Sequence, residues 1–283
     1  MTKKKRILIT IAAVLLTIIA IVCMYMYDKD RAAYRKQLFT AIEQNDLATV
    51  ESVLDRHPTL LNEKRSGTGL SGLFSYMIGL PYTKPLSEAI IYSHNDIAKF
   101  LVDKGANVND SQAPLLKAID RENFEMAWYL IENGADITFT DAGVWNFSFL
   151  QEIVFNWIAH NDEVNAREAL AMFRYGIENG APQVPLTADV VPGVYSLFGV
   201  AVCRNNYYIV EYYIEELSQD VNGRITESGK TALICAVEHQ AYNSCEVLLR
   251  HGADKTLTDV DGKTALDYAI QLQDQILIDM LQD

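Results

Sequence analysis

The chain has 283 residues, 49% of them hydrophobic and 22% charged, which supports a sizeable core and excludes gross disorder. Its formal net charge of −13 is unevenly placed: eight of the 24 Lys and Arg but two of the 37 acids precede residue 37, leaving 16 bases and 35 acids beyond it. So acidic a body repels phosphate backbones, which excludes nucleic acid as the partner and favours a basic protein.

The first six residues are basic through Lys3, Lys4, Lys5 and Arg6, and 7–27 then carries no charge. At about 1.5 Å per residue that run spans the roughly 30 Å hydrocarbon core of a bilayer. Tyr25 and Tyr27 close it as interfacial aromatics. A cleaved signal peptide would need a small-x-small site, which 23–27 does not offer. A lipid-modified Cys23 would not be preceded by Val22. The expectation is therefore an uncleaved signal anchor at 7–27 and a juxtamembrane linker at 28–36. The undiluted positive charge of 1–6 places the N-terminus in the cytoplasm. A short basic tail with one anchor looks bacterial, so the compartment expected for the rest is the periplasm, with the chain single-pass in the inner membrane.

From residue 37 the pattern turns helical and repetitive. Leu38 to Ile42 and then Leu47, Val50, Val53 and Leu54 recur at helical spacing. Pro85-Leu86-Ser87-Glu88-Ala89 is followed by Ile97, Leu101 and Gly105-Ala106-Asn107. Pro114-Leu115-Leu116-Lys117-Ala118 is followed by Leu130 and Gly134-Ala135-Asp136. Leu86 to Gly105, Leu115 to Gly134 and Leu233 to Gly252 are each 19 residues apart. A fourth unit runs from Leu150 to Gly180, about eleven residues too long, with the surplus placed around 161–166. In a fifth, Phe198 aligns with Leu86 and Ile209 with Ile97. The sixth and seventh share Gly229-Lys230-Thr231-Ala232-Leu233 and Gly262-Lys263-Thr264-Ala265-Leu266, 33 residues apart. Gln271, Gln273, Asp274, Gln275 and Asp279 give the last unit a polar closing surface.

A 33-residue period with this wording resembles the ankyrin-repeat family. The resemblance covers 37–283 and implies an all-α solenoid of about seven helix-turn-helix units behind a single N-terminal transmembrane helix. The units are expected near 37–62, 84–110, 113–140, 148–184, 197–224, 229–258 and 262–283, with an insertion at 65–83. The Thr before Ala-Leu should cap its helix, and the Gly after the second helix should end it left-handed. Two segments lie outside the period. The insertion is Gly-rich yet apolar, with Phe74 and Tyr76 as candidate contact residues, and a second long connection follows Ala181.

The resemblance also implies protein binding through the face of the first helices. The slots expected on that face are Glu43, Glu88, Tyr92, Lys117, Asp120, Arg121, Glu152, Phe155, Asn156, Glu238 and His239. Acids with Tyr92 and Phe155 as aromatic anchors suit a surface carrying Lys and Arg.

Nothing in the sequence assembles a catalytic centre, and no enzyme activity, cofactor, metal or small-molecule substrate is expected. Gly67-x-Gly69-x-x-Gly72 matches a dinucleotide fingerprint by letters but has no strand before it. His57, His94, His160, His239 and His251 all have structural readings at turns and helix ends. Cys23, Cys203, Cys235 and Cys245 show no metal or disulfide spacing. Cys245 falls on a packing face, whereas Cys203 and Cys235 are open to greater exposure and to one bridge.

The function expected is a membrane-tethered protein-interaction module, of an inhibitor or immunity type against a basic target. Two alternatives are an accessory of redox or stress defence acting through Cys203 or Cys235, and a scaffold that self-associates through 65–83.

Overall fold

The structure is a computed structural model that describes residues 31–65, 83–138, 148–156, 163–182 and 196–282. The expected anchor at 7–27, Phe74 and Tyr76 lie outside the described residues, as does the connection at 183–195. No helix among the described residues is long and apolar enough to cross a membrane.

The described residues form seven consecutive helix pairs. These are α1 (31–43) and α2 (Leu47–Arg56), α3 (Pro85–Ile91) and α4 (Asn95–Asp103), and α5 (Pro114–Asp120) and α6 (Phe124–Glu132). Then come α7 (Phe149–Asn156) and α8 (Glu163–Glu178), α9 (Leu197–Cys203) and α10 (Tyr207–Glu215), α11 (Ala232–Glu238) and α12 (Tyr242–Arg250), and α13 (Ala265–Leu272) and α14 (Gln275–Gln282). A short 3-10 turn, Pro58–Asn62, follows α2. The chain divides into two compact units, Met1–Pro114 and Leu115–Asp283.

The starts of the first helices α3, α11 and α13 follow from their sequences. Pro85 opens α3 at a position whose N–H would have no intrahelical partner. Thr231 accepts from the Ile234 N–H at the head of α11. Thr264 and Asp267 form a reciprocal capping box on α13. Second helices start on Asp46, Asn123 and Asn206, each accepting from the N–H three residues on. The tight turn between paired helices needs one left-handed residue, and Ser93, Asn205 and Gln240 take it at φ 58°, 58° and 54°. Gly252, at φ +85°, ends α12, where a side chain would be strained.

Asx turns repeat at the ends of the second helices. Asp136 Oδ1 accepts from Thr138 N and Asp254 Oδ1 from Thr256 N, both at 2.8 Å. Asn222 Oδ1 accepts the Asp254 N–H at 2.8 Å, and Asn62 Oδ1 accepts the Asn107 N–H at 2.9 Å. A side-chain amide from one repeat thus satisfies the backbone of the next.

In the second compact unit α7, α9, α11 and α13 pack in sequence as one layer, and α6, α8, α10 and α12 as the other. Phe149, Phe173, Phe198, Leu233 and Leu248 fill the space between them, at 2% exposure or less. Each repeat is apolar toward its neighbours, so stacking is what buries it. In the first compact unit α4 packs on α2 and α3, over Leu54, Leu60, Leu86 and Ile97.

In two segments the structure adds detail to the sequence reading. The linker expected at 28–36 is helical over its described part, 31–36. Arg31 Nε and Arg35 Nη1 donate to the two oxygens of Glu63, at 2.8 and 2.7 Å, fixing that helix to its repeat. In the fourth unit, residues 163–166 of the expected surplus open α8, which at 16 residues is longer than its nine-residue counterparts α10 and α12. Glu, Ala, Arg and Leu dominate its first turns, and such residues extend a helix at little cost.

Candidate functional site

The slots read as a binding face fall into two sets, one in each compact unit. In the first, Glu43, Glu88 and Tyr92 come from α1, α3 and the turn after α3. Glu88 is 3% exposed, and a carboxylate so desolvated needs a partner. The partner is Arg65, whose guanidinium pairs with both Glu88 and Glu43 and lies over the Phe39 ring at 5.7 Å. Burial works against the charge on Arg65, but the two carboxylates outweigh it and raise its pKa. The Arg65 N–H also donates to the Thr83 carbonyl at 2.8 Å. Tyr92 is 44% exposed and stacks on His94, with ring centroids 5.9 Å apart.

In the second unit Lys117 is half-buried in α5, and Asp120 and Arg121 are exposed at its end, 3.7 Å apart. Glu152 and Phe155 in α7 are buried rather than presented to solvent. Arg204 lies over the Phe155 ring at 5.6 Å. Asn156 closes α7. Glu238 takes a two-pronged contact from Lys230 Nζ, at 2.7 Å to each oxygen. Lys230 in turn sits over the Tyr268 ring at 4.9 Å, and the Tyr268 hydroxyl donates to Asp259 Oδ2 at 2.6 Å. The face therefore carries fewer solvated acids than its spelling suggests. Its acids are largely neutralised by bases that sequence reasoning did not assign to them, and among the slots whose burial is described Tyr92, Asp120, Arg121 and His239 are exposed.

A second cluster lies between α9 and α11. Cys203 and Cys235, which the sequence left open to exposure, are 8% and 1% exposed, because α9 and α11, which carry them, pack against each other. Both thiols are free. The Cys203 thiol is drawn down to about 6 by the Cys235 thiol and by His239, while Cys235 is pushed up by its hydrogen bond to Cys203 and by burial. His239 is raised to about 9 by Cys203, and its Nδ1 lies 2.9 Å from the Cys235 carbonyl. A neighbouring thiol and an imidazole thus favour ionisation at Cys203 over Cys235. Cys245, on its packing face as expected, is raised to about 12 by burial first and by the charge of Asp274 second.

Comparison with known proteins agrees with the repeat geometry. The family model for ankyrin repeats (3 copies) matches 38–141 and 198–282. These matches cover more than half the chain, which belongs to the ankyrin-repeat family. The unmatched stretch between them holds the fourth unit with its lengthened α8. Over 203 residues the chain is 29% identical to alpha-latrotoxin-Lg1a of Latrodectus geometricus. That match takes in 70% of this chain and 14% of the toxin, so the chain spans a small part of that relative. The human ASB11 ankyrin repeat domain matches in structure with a TM-score of 0.58 at 20% identity, over 87% of this chain and 96% of that one. This likeness shows the fold. Ankyrin repeats make the chain a protein–protein interaction module.

Proposed function

We propose that the chain is a membrane-tethered binder of a basic protein. The 7–27 segment anchors it in the inner membrane with the N-terminus in the cytoplasm, and the repeats capture their target in the periplasm as an inhibitor or immunity-type protein. The observation that carries this reading is Tyr92, an exposed aromatic at a helix-pair turn on a chain body holding 35 acids to 16 bases. An aromatic anchor with long-range negative charge supplies both a hot spot and steering toward a cation-rich surface. The arginine clamp on Glu43 and Glu88 makes recognition at that spot aromatic first and acidic second.

The test is crosslinking on cells with a permeabilised outer barrier, using a reagent that does not cross the inner membrane. One dominant basic protein, lost in Tyr92→Ala and weakened by salt, is the expected outcome. Partners trapped only by a membrane-permeant reagent would place the repeats on the cytoplasmic side and sink the topology. A salt-insensitive complex with an acidic protein would sink the choice of partner.

The lowering of the Cys203 pKa by Cys235 and His239 favours a second reading, the redox accessory. Oxidant sensitivity identical in wild type and in the Cys203→Ser, Cys235→Ser double variant would remove it.

A further inference from the structure

In the second compact unit, the layer of α6, α8, α10 and α12 brings together three side chains that the proposed function does not use. Glu211 and Glu215 stand one turn apart on α10, and His251 caps the end of α12, which packs against α10. His251 Nε2 is 3.6 Å from Glu211 Oε1 and 3.6 Å from Glu215 Oε1. The three candidate ligand atoms all lie within 4.8 Å of one another. Nε2 itself is shut away from solvent and has no hydrogen-bond partner.

A buried ring nitrogen without a partner is costly, and two carboxylates side by side repel. Arg250 offsets part of that charge by pairing with Glu211, but it leaves Nε2 unsatisfied. A divalent cation answers both faults at once. Zinc binds imidazole nitrogen and carboxylate oxygen at about 2.0–2.2 Å in tetrahedral sites, which sets ligand atoms about 3.3–3.6 Å apart. The two nitrogen–oxygen separations already fall at that value.

We propose that Glu211, Glu215 and His251 form a zinc site that ties the second helix of one repeat to the end of the second helix of the next. His251 supplies Nε2, each glutamate supplies one oxygen, and water completes the tetrahedron, since Glu215 is half exposed. Arg250 then serves as the outer partner of a ligating carboxylate. Bound metal adds its binding free energy to the folding of both repeats.

The test uses the full chain in detergent, titrated with Zn2+ alone against a chromophoric chelator and followed by thermal unfolding. Wild type should bind zinc and melt higher with it. Glu215→Gln and His251→Gln should each abolish one equivalent or weaken it at least tenfold, since losing even an outer-shell partner costs about tenfold or more. The metal-induced rise in melting temperature should vanish with them. Glu215→Gln removes a ligand at an exposed position, so its result does not depend on refolding around His251. Zinc that fails to bind wild type, or binds both variants with unchanged stoichiometry and affinity, overturns the proposal. Zinc held by the thiols of Cys203 and Cys235 would show itself as that unchanged binding.

Discussion

Arg65 in the first compact unit and Cys203 in the second each act through partners distant in sequence. Arg65 holds Glu88, 3% exposed, together with Glu43. Arg65→Ala leaves a carboxylate desolvated and unpaired. A fully buried pair broken this way costs about 3–5 kcal/mol, and the partial exposure of Arg65 brings the expectation to about 2 kcal/mol in urea unfolding. Restoring most of that stability with Glu88→Gln in the Arg65→Ala background would identify the stranded charge as the cause. At Cys203 the prediction is spectroscopic. A group held at about 6 is largely thiolate at neutral pH, so absorbance near 240 nm should rise through that pH in wild type and be missing from Cys203→Ser. Cys245, raised to about 12, adds nothing in that range. His239→Gln removes a positive neighbour and should move the rise to higher pH. A wild-type chain showing no such absorbance below pH 8 would refute the thiolate.

Among the helices, α8 departs most from the repeat, and Gly176 shows how it is accommodated. A Cβ there would come within 2.7 Å of Leu150 Cδ2 and of Phe149 Cε1. Both side chains are fully buried and have no room to withdraw. Gly176→Ala gains about 1 kcal/mol in helix propensity but faces an overpacking cost of about 1–3 kcal/mol. The clash prevails, and thermal unfolding should show a net loss of about 1 kcal/mol. Thr231→Ala, which removes the cap on α11, should cost a similar amount. The helix pairs, the threonine caps and the terminal glycines were legible in the sequence because each repeats at a fixed interval and serves a local need. The ion pairs were not. Arg65 lies 23 residues from Glu88 at the edge of a segment that keeps no period, and Lys230 reaches Glu238 across a whole helix. Glu152 and Phe155 read as surface slots because a first helix exposes only the strip that the next first helix leaves uncovered. The triad on α10 and α12 did leave a trace, two glutamates at i and i+4 with a histidine one repeat later, but that trace gains meaning only once the repeats are stacked.

For the whole molecule, the question is how the repeats meet what precedes them. Helix α1 is held to its own repeat by Glu63, whose side chain is 10% exposed and accepts from Arg31 and Arg35 together. Such a pair of charge-assisted bonds resists removal more than a surface pair would, because taking both arginines strands a largely buried carboxylate. The folded part of the chain therefore begins no later than residue 31, six residues before the period becomes visible. Two truncations separate the tether from the fold. Removing 1–30 should release the chain from membranes in carbonate extraction and leave cooperative unfolding intact, if 7–27 is the anchor. Removing 1–36 should release it equally but lower the unfolding free energy by about 1–3 kcal/mol, the cost of leaving Glu63 without its partners. Glu63→Gln in the shorter chain should recover part of the loss, since a neutral amide has no charge to strand. If removing 1–30 leaves the protein membrane-bound, the anchor lies elsewhere; if 1–36 can be removed without loss of stability, α1 does not need its first turn and the arginine pairs contribute little.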